Sequence, residues 1–248
     1  MKLTVSLIGF AVFLFGLTPH RNLALDLRRA LTPALTSGDP SRPEVALTFD
    51  DGPNPDATPK ILIELEHAHA HATFFVVGRL ARAYPRLIAR MVRDGDAVES
   101  HSWAHEYTVL ESPRAFRRSL EETDAAIEAA GAAHPAYFRP PYGVRAPWTL
   151  EQARADGEEV LLWSVPLSGD WDQPGTGRIV ERSMAYVKPG AVMVLHDGNE
   201  AKACAGTAAC DRRQEVAATP IILRRLRRLG LRSVTIPEMF TRNVGPHR

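Results

Sequence analysis

Val45-Ala46-Leu47-Thr48-Phe49-Asp50-Asp51-Gly52-Pro53 is an apolar stretch that stops at two adjacent carboxylates and a turn. Val45–Phe49 reads as a short buried strand. Like charges side by side raise the energy unless a cation or a hydrogen-bond network offsets them. Neighbouring residues need not face the same way, so one carboxylate can bind a metal while the other addresses a water beside it. The competing reading is a solvated turn, since Asp-Gly is a common turn pair.

Downstream the rhythm repeats. Thr58–His67 reads as a helix and Thr73–Val77 as an apolar strand. Pro85–Arg93 reads as a helix stopped at Asp94-Gly95, and Ala97–Ser100 as a brief strand. Ser112-Pro113 opens a helix that runs to about Ala130, with serine as N-cap and proline in the first turn. Tyr137–Arg139, Val160–Val165, Ala191–Leu195 and Arg232–Ile236 read as strands. Pro147–Ala155, Ile179–Val187 and Val216–Leu229 read as helices. About seven such alternations without a composition break imply parallel strands joined by crossover helices. A barrel and an open doubly wound sheet both satisfy that pattern. Chemically loaded residues at the ends of several strands favour the barrel, which gathers such ends around one mouth. No glycine-rich phosphate loop follows the first strand, and Gly175-Thr176-Gly177 follows no strand at all.

Upstream, Lys2 precedes an apolar run from Leu3 to Leu17 that Thr18-Pro19-His20-Arg21 closes. A run of about 15 apolar residues suits a signal-peptide core better than a membrane span. Residues 1–22 are expected to be a signal peptide or a retained N-terminal membrane anchor. Either puts the rest of the chain outside the cytoplasm, secreted or membrane-anchored. Residues 23–43 read as a proline-containing linker, residues 44–241 as one domain and residues 242–248 as a tail. The formal net charge of +1 over 248 residues gives no push toward nucleic acid or anionic lipid. Arg224-Arg225-Leu226-Arg227-Arg228 is the wet face of an amphipathic helix whose apolar side includes Ile222 and Leu226. An exported chain meets oxidising conditions, under which Cys204 and Cys210 can close a local disulfide. The chain is expected to be a monomer.

Four further segments carry chemistry. His101-Ser102-Trp103-Ala104-His105 follows a strand, and two histidines four apart share one face of a helical turn. With Asp51 they make a two-histidine, one-carboxylate site, and three protein ligands leave a position open for water. By contrast His67, His69 and His71 alternate by two and splay apart, so they read as exposed connection. Arg139-Pro140-Pro141-Tyr142-Gly143 has a rigid backbone path that can present an N–H to an oxyanion, and Arg139 can orient a carboxylate. His196 ends an apolar strand, where it can protonate a leaving group. Asp170 can hold that imidazole charged, and Trp171 offers a wall for a sugar ring.

In this order, Thr48–Pro53, His101–His105, Arg139–Gly143, Asp170-Trp171 and Leu195-His196 resemble the polysaccharide deacetylases of the NodB-homology type, carbohydrate esterase family 4. The resemblance runs from about Val45 to Met239. It implies a distorted (β/α) barrel of about seven parallel strands. It implies Asp51, His101 and His105 as ligands of a divalent metal, foremost Zn2+, with Co2+ or Mn2+ as alternatives. Asp50 would be the general base on the metal-bound water and His196 the general acid. Asp170 would tune His196, and Arg139 would orient Asp50. The backbone N–H of Tyr142 would stabilise the oxyanion, and Trp171 and Leu195 would line the groove. Ahead of Asp170 the segment is one residue longer than the family's usual pattern, and Pro166 stands where an acidic residue often appears.

The expected function is removal of N-acetyl groups from N-acetylglucosamine units of peptidoglycan or a chitin-like polymer or oligosaccharide. An O-deacetylase of the acetyl-xylan type is the enzymatic alternative. A non-catalytic carbohydrate-binding protein on the same fold is the other.

Overall fold

The computed structural model describes residues 34–199 and 211–241. The apolar run at residues 3–17, Cys204, Cys210 and the tail 242–248 lie outside the described residues. Strands β1 (Glu44–Asp50), β2 (Thr73–Val76), β3 (Ala97–Ser100), β4 (Tyr137–Phe138), β5 (Glu159–Val160), β6 (Val192–His196) and β7 (Arg232–Ser233) form a seven-stranded sheet. The order is β5-β4-β3-β2-β1-β6, and β7 pairs with β1. Every pairing is parallel. The helices are α1 (Thr58–Ala68), α2 (Gly78–Ala83), α3 (Pro85–Arg93), α4 (Pro113–Ala129), α5 (Pro147–Ala155), α6 (Thr176–Met184), α7 (Arg213–Arg228) and α8 (Ile236–Thr241). Among the described residues no helix is long and apolar enough to cross a membrane.

Side chains alternate across β1. Val45, Leu47 and Phe49 pack on Ile61, Leu65, Ile222 and Leu226 of α1 and α7. Ala46 packs inside the curved sheet with Phe75, Val192 and Ile236. Thr48 and Asp50 continue that inner row, so the last inward residue of β1 is a carboxylate at the mouth. The expected caps of α4 are present: Ser112 Oγ accepts from the N–H of Ala115 (3.2 Å), with Pro113 in the first turn.

The sheet is a distorted barrel whose gap lies between β5 and β6. Residues expected as the rest of a strand to Val165 cross this gap. Leu162 N–H bonds to Leu35 O (2.7 Å), and Ser164 and Val165 N–H to Val192 O (3.1 and 3.3 Å). Leu35 N–H in turn donates to Val160 O (2.8 Å), and Ala34 is buried in a cluster with Phe116 and Phe138. The domain therefore starts at least ten residues before Glu44, and residues 34–43 are not a linker. The last strand also differs from expectation, ending at Ser233. Ile236 opens α8 instead of ending a strand, because Pro237 suits a helix's first turn and Ile236 and Met239 fill the inner cluster. The short helix α2 had no periodic signal long enough to read.

Candidate active site

The C-terminal ends of β1, β3, β4 and β6 bring the proposed residues together. His101 and His105 do not lie on a helical turn. Ser102 (φ 65°) and His105 (φ 60°) are left-handed, and Ser102 Oγ accepts from His105 N–H at 3.0 Å. This hydroxyl-closed loop brings the two rings to 5.1 Å between centroids. Asp51 also has positive φ (72°), which turns it away from the inward row that holds Asp50. Left-handed conformations at non-glycine residues typically cost about 1–3 kcal/mol each and gather at functional sites.

His101 Nε2 lies 3.3 Å and His105 Nε2 3.0 Å from Asp51 Oδ1. The three residues are buried, with donor atoms all within 4.8 Å of one another. His101 Nδ1–H donates to the carbonyl of Arg139 (2.7 Å), which leaves a lone pair on Nε2. A lone pair facing a carboxylate oxygen needs a cation or a proton between them. A tetrahedral ion with bonds near 2.05 Å separates its donors by about 3.3 Å, close to the spacing seen. The donor set fits a divalent metal. Burial pushes the Asp51 carboxyl up, but contacts from His101 and His105 and the charge of His196 outweigh it and hold it well below the usual range.

Asp50 sits beside this cluster. Arg139 Nη1 donates to Asp50 Oδ1 (2.6 Å) and to Thr48 Oγ1 (2.7 Å). Its other nitrogens reach the carbonyls of Leu161 and Leu162, and its guanidinium lies 3.9 Å over the Phe75 ring. Arg139 is thus fully buried with every guanidinium nitrogen hydrogen-bonded. Its main chain orients His101 and its side chain orients Asp50.

On the neighbouring strand β6, in register with Asp50, His196 Nδ1 bonds both oxygens of Asp170 (3.0 and 3.1 Å). Asp170 Oδ2 also accepts from His196 N–H (2.8 Å), and Oδ1 from Ser168 Oγ (2.7 Å). The longer segment around Pro166 therefore still delivers Asp170, with left-handed Gly169 (φ 68°) turning the chain just before it. Burial pulls His196 down, but the charge and hydrogen bonds of Asp170, then Asp51 and Asp50, push it up to about 10.

Tyr142 (φ 59°) lies in a tight turn closed by Gly143 N–H to Pro140 O (2.9 Å). Its ring meets His105 edge-on at 4.6 Å and stacks on Tyr107 at 4.1 Å. Trp171 meets His196 edge-on at 5.5 Å. Half-exposed Tyr107, Tyr142 and Trp171 give the mouth aromatic surfaces on both sides. Leu195 needs correction as a groove residue. It is 0% exposed and packs with the helix-side core. In a strand, residues two apart share a face, so Val194 rather than Leu195 is on the His196 side. His67, His69 and His71 are exposed, as expected.

Several supports were not legible. Tyr107 had no motif to mark it. Asp197 accepts from Thr58 Oγ1, and its N–H donates to Asp50 O (3.1 Å). A β-carbon on Gly52 would collide with the Asp197 carboxylate, and one on Gly198 with the Asp51 carbonyl. Both loops therefore need glycine. Arg212 Nε donates to Gly198 O (2.6 Å) and Nη1 to Glu215 (3.0 Å), while Glu215 accepts from Gln173 (2.8 Å). That chain ties the start of α7 to the loops holding Asp51 and Trp171. An Asp directly after His196 was the one available signal.

The model of the polysaccharide deacetylase family matches residues 37–161. A chitooligosaccharide deacetylase of Sinorhizobium fredii is 37% identical over 197 residues, which are 79% of this chain and 91% of that one. A peptidoglycan-N-acetylglucosamine deacetylase of Bacillus cereus is 32% identical over 197 residues, 79% of this chain and 87% of that one. The crystal structure of the peptidoglycan N-acetylglucosamine deacetylase Bc1960 superposes with a TM-score of 0.75 at 29% identity, covering 84% of this chain and 92% of the other.

Proposed function

This chain belongs to the polysaccharide deacetylase family and is a hydrolase of that kind, and from that premise we propose that it removes N-acetyl groups from N-acetylglucosamine units of peptidoglycan or a chitin-like oligosaccharide. One observation carries the reading. Asp51, His101 and His105 converge in a mouth that also holds an Arg139-held carboxylate, Asp50, and, in register with it on the next strand, an Asp170-held imidazole, His196. An acid and a base in one mouth are what an amide needs, because an amine must be protonated as it leaves. An ester leaves more readily and needs that proton less.

Asp51, His101 and His105 would hold the divalent ion, which when bound acidifies water and polarises the acetyl carbonyl. Zn2+ suits two imidazoles and a carboxylate, and Co2+ or Mn2+ can occupy the same donors. Asp50 takes the proton of the attacking water, with Arg139 fixing its orientation. The backbone N–H of Tyr142 donates to the carbonyl oxygen as negative charge grows there. His196 passes its proton to the departing nitrogen, and Asp170 holds the ring in the donating orientation. Trp171, Tyr142 and Tyr107 pack on sugar faces. The export expected from the run Leu3–Leu17 brings the domain to the polymers it acts on.

Acetate release tests this directly. Chitooligosaccharide and peptidoglycan are expected to release acetate, and acetyl-xylan little. Release from acetyl-xylan with none from either amide substrate would overturn the N-deacetylase reading in favour of ester hydrolysis.

The His196–Asp170 pair sets the alkaline limit. His196 must carry its proton to act, so activity falls as pH rises through its pKa. Asp170 is the largest influence raising that pKa. Asp170→Asn is therefore expected to move the alkaline limb of kcat/KM to lower pH. Its neutral-pH rate should fall by roughly 10²-fold, the lower end for losing general acid help. An unmoved alkaline limb would count against His196 as the acid.

A further inference from the structure

Away from the mouth, three more carboxylates converge: Asp124 on α4, Asp156 at the end of α5 and Glu158 just before β5. Each offers an oxygen within 4.8 Å of the others. Glu158 is fully buried, and neither of its carboxylate oxygens has a hydrogen-bond partner. One oxygen each of Asp124 and Asp156 is buried and equally without a partner. The Ser100 hydroxyl lies toward Glu158 and also closes no hydrogen bond. Among the described residues, none of the three carboxylates forms an ion pair.

The surroundings worsen the imbalance. Glu121, Glu128 and Glu99 add negative charge around Asp124, Asp156 and Glu158, opposed by His134 and Arg117. Those two are engaged elsewhere: His134 Nδ1 pairs with Glu128 (3.0 Å), and Arg117 donates to Gln152 (3.2 Å). Buried carboxylates without hydrogen bonds or counter-charge are strongly unfavourable. Either protons or a cation must balance them.

We propose that Asp124, Asp156 and Glu158 bind a hard divalent cation of the calcium type, at a second site separate from the catalytic donors. The donor set is all oxygen, which suits Ca2+ and disfavours zinc relative to the imidazole-bearing mouth. Three carboxylates, each able to bind through one or two oxygens, supply a coordination shell that water completes. The partly exposed Asp156 gives the ion its way in. The ion would pin the end of α5 and the start of β5 to α4, bracing the strand edge at the barrel's gap. Burial and the neighbouring acids raise Glu158 well above the usual range and Asp124 to about 7, so ion binding displaces protons near neutrality.

The test uses the zinc-saturated full chain at pH 8, so that the mouth is already filled. With a Kd near 10⁻⁴ M, 10 mM CaCl₂ shifts the folding equilibrium about 100-fold, raising Tm by roughly 5 °C. Isothermal titration should find one Ca2+ per chain. Glu158→Gln and, separately, Asp156→Asn should each abolish the rise while acetate release by the zinc form stays unchanged. Asp156 is only partly buried, so its variant keeps the test open should Glu158→Gln misfold. Absence of a calcium-dependent rise in the parent protein, or a rise that survives in Asp156→Asn, overturns the site and leaves shared protons as the balancing charge.

Discussion

Asp50→Asn should lower kcat for acetate release by about 10³-fold while leaving bound metal unchanged, within the range expected for losing a general base. Asparagine keeps the size and one acceptor oxygen of aspartate but cannot take a proton from water. Asp50 is not among the converging donors Asp51, His101 and His105, so metal content should persist. The substitution also touches the fold, because Asp50 is the ion-pair partner of the fully buried Arg139. Removing one partner of a buried pair can cost about 3–5 kcal/mol. Here the guanidinium keeps Thr48, the carbonyls of Leu161 and Leu162, the Phe75 face and the asparagine oxygen. A Tm loss of only about 5 °C is expected. Turnover, metal content and Tm measured together separate the two effects. Near-normal turnover in a folded, metal-loaded variant would sink the base assignment.

Stripping the metal with a chelator should abolish acetate release, by about 10⁴-fold if the ion supplies some 5 kcal/mol of transition-state stabilisation. Re-addition of Zn2+, Co2+ or Mn2+ should restore it. In His101→Ala, re-addition should fail, because two remaining donors hold an ion far more weakly. The stripped enzyme should also melt at lower temperature, since an ion bound only by the native state stabilises it by mass action. His101 has a particular weight. Its Nδ1–H is held by the carbonyl of the residue whose guanidinium holds Asp50. Losing that ring should therefore disturb the Arg139 turn, and Tm should fall further than metal loss alone explains. Full activity after exhaustive chelation would exclude the metal role outright.

The fold was largely legible because its signals are local. The mostly apolar run Val45–Phe49 before Asp50, Ser112-Pro113 before α4 and glycine after helix after helix mark element ends without reference to the rest of the chain. Legibility failed where hydrogen bonds go to distant partners. Leu162, Ser164 and Val165 look like strand residues, yet their N–H groups bond to Leu35 and Val192 across the barrel's gap. Ala34 looked like linker beside Pro33, yet it is buried against Phe116 and Phe138.

The site divides the same way. Which residue types gather, and in what order, was written in the sequence: two carboxylates at a strand end, two histidines after another, Arg139 and His196 after two more. Parallel strands oblige their C-terminal ends to share one mouth, so order along the chain became proximity. How each side chain points was decided only by the tertiary structure. The histidines four apart suggested a helix, but left-handed Ser102 and His105 bring the rings together in a loop. Leu195 was adjacent to His196 and so suspected of lining the groove, but strand alternation buries it under the helices. Tyr107 and Arg212 carry no local signature, and Asp197 only its place after His196, because stacking, a buried carboxyl and a buried ion pair exist only once distant segments meet.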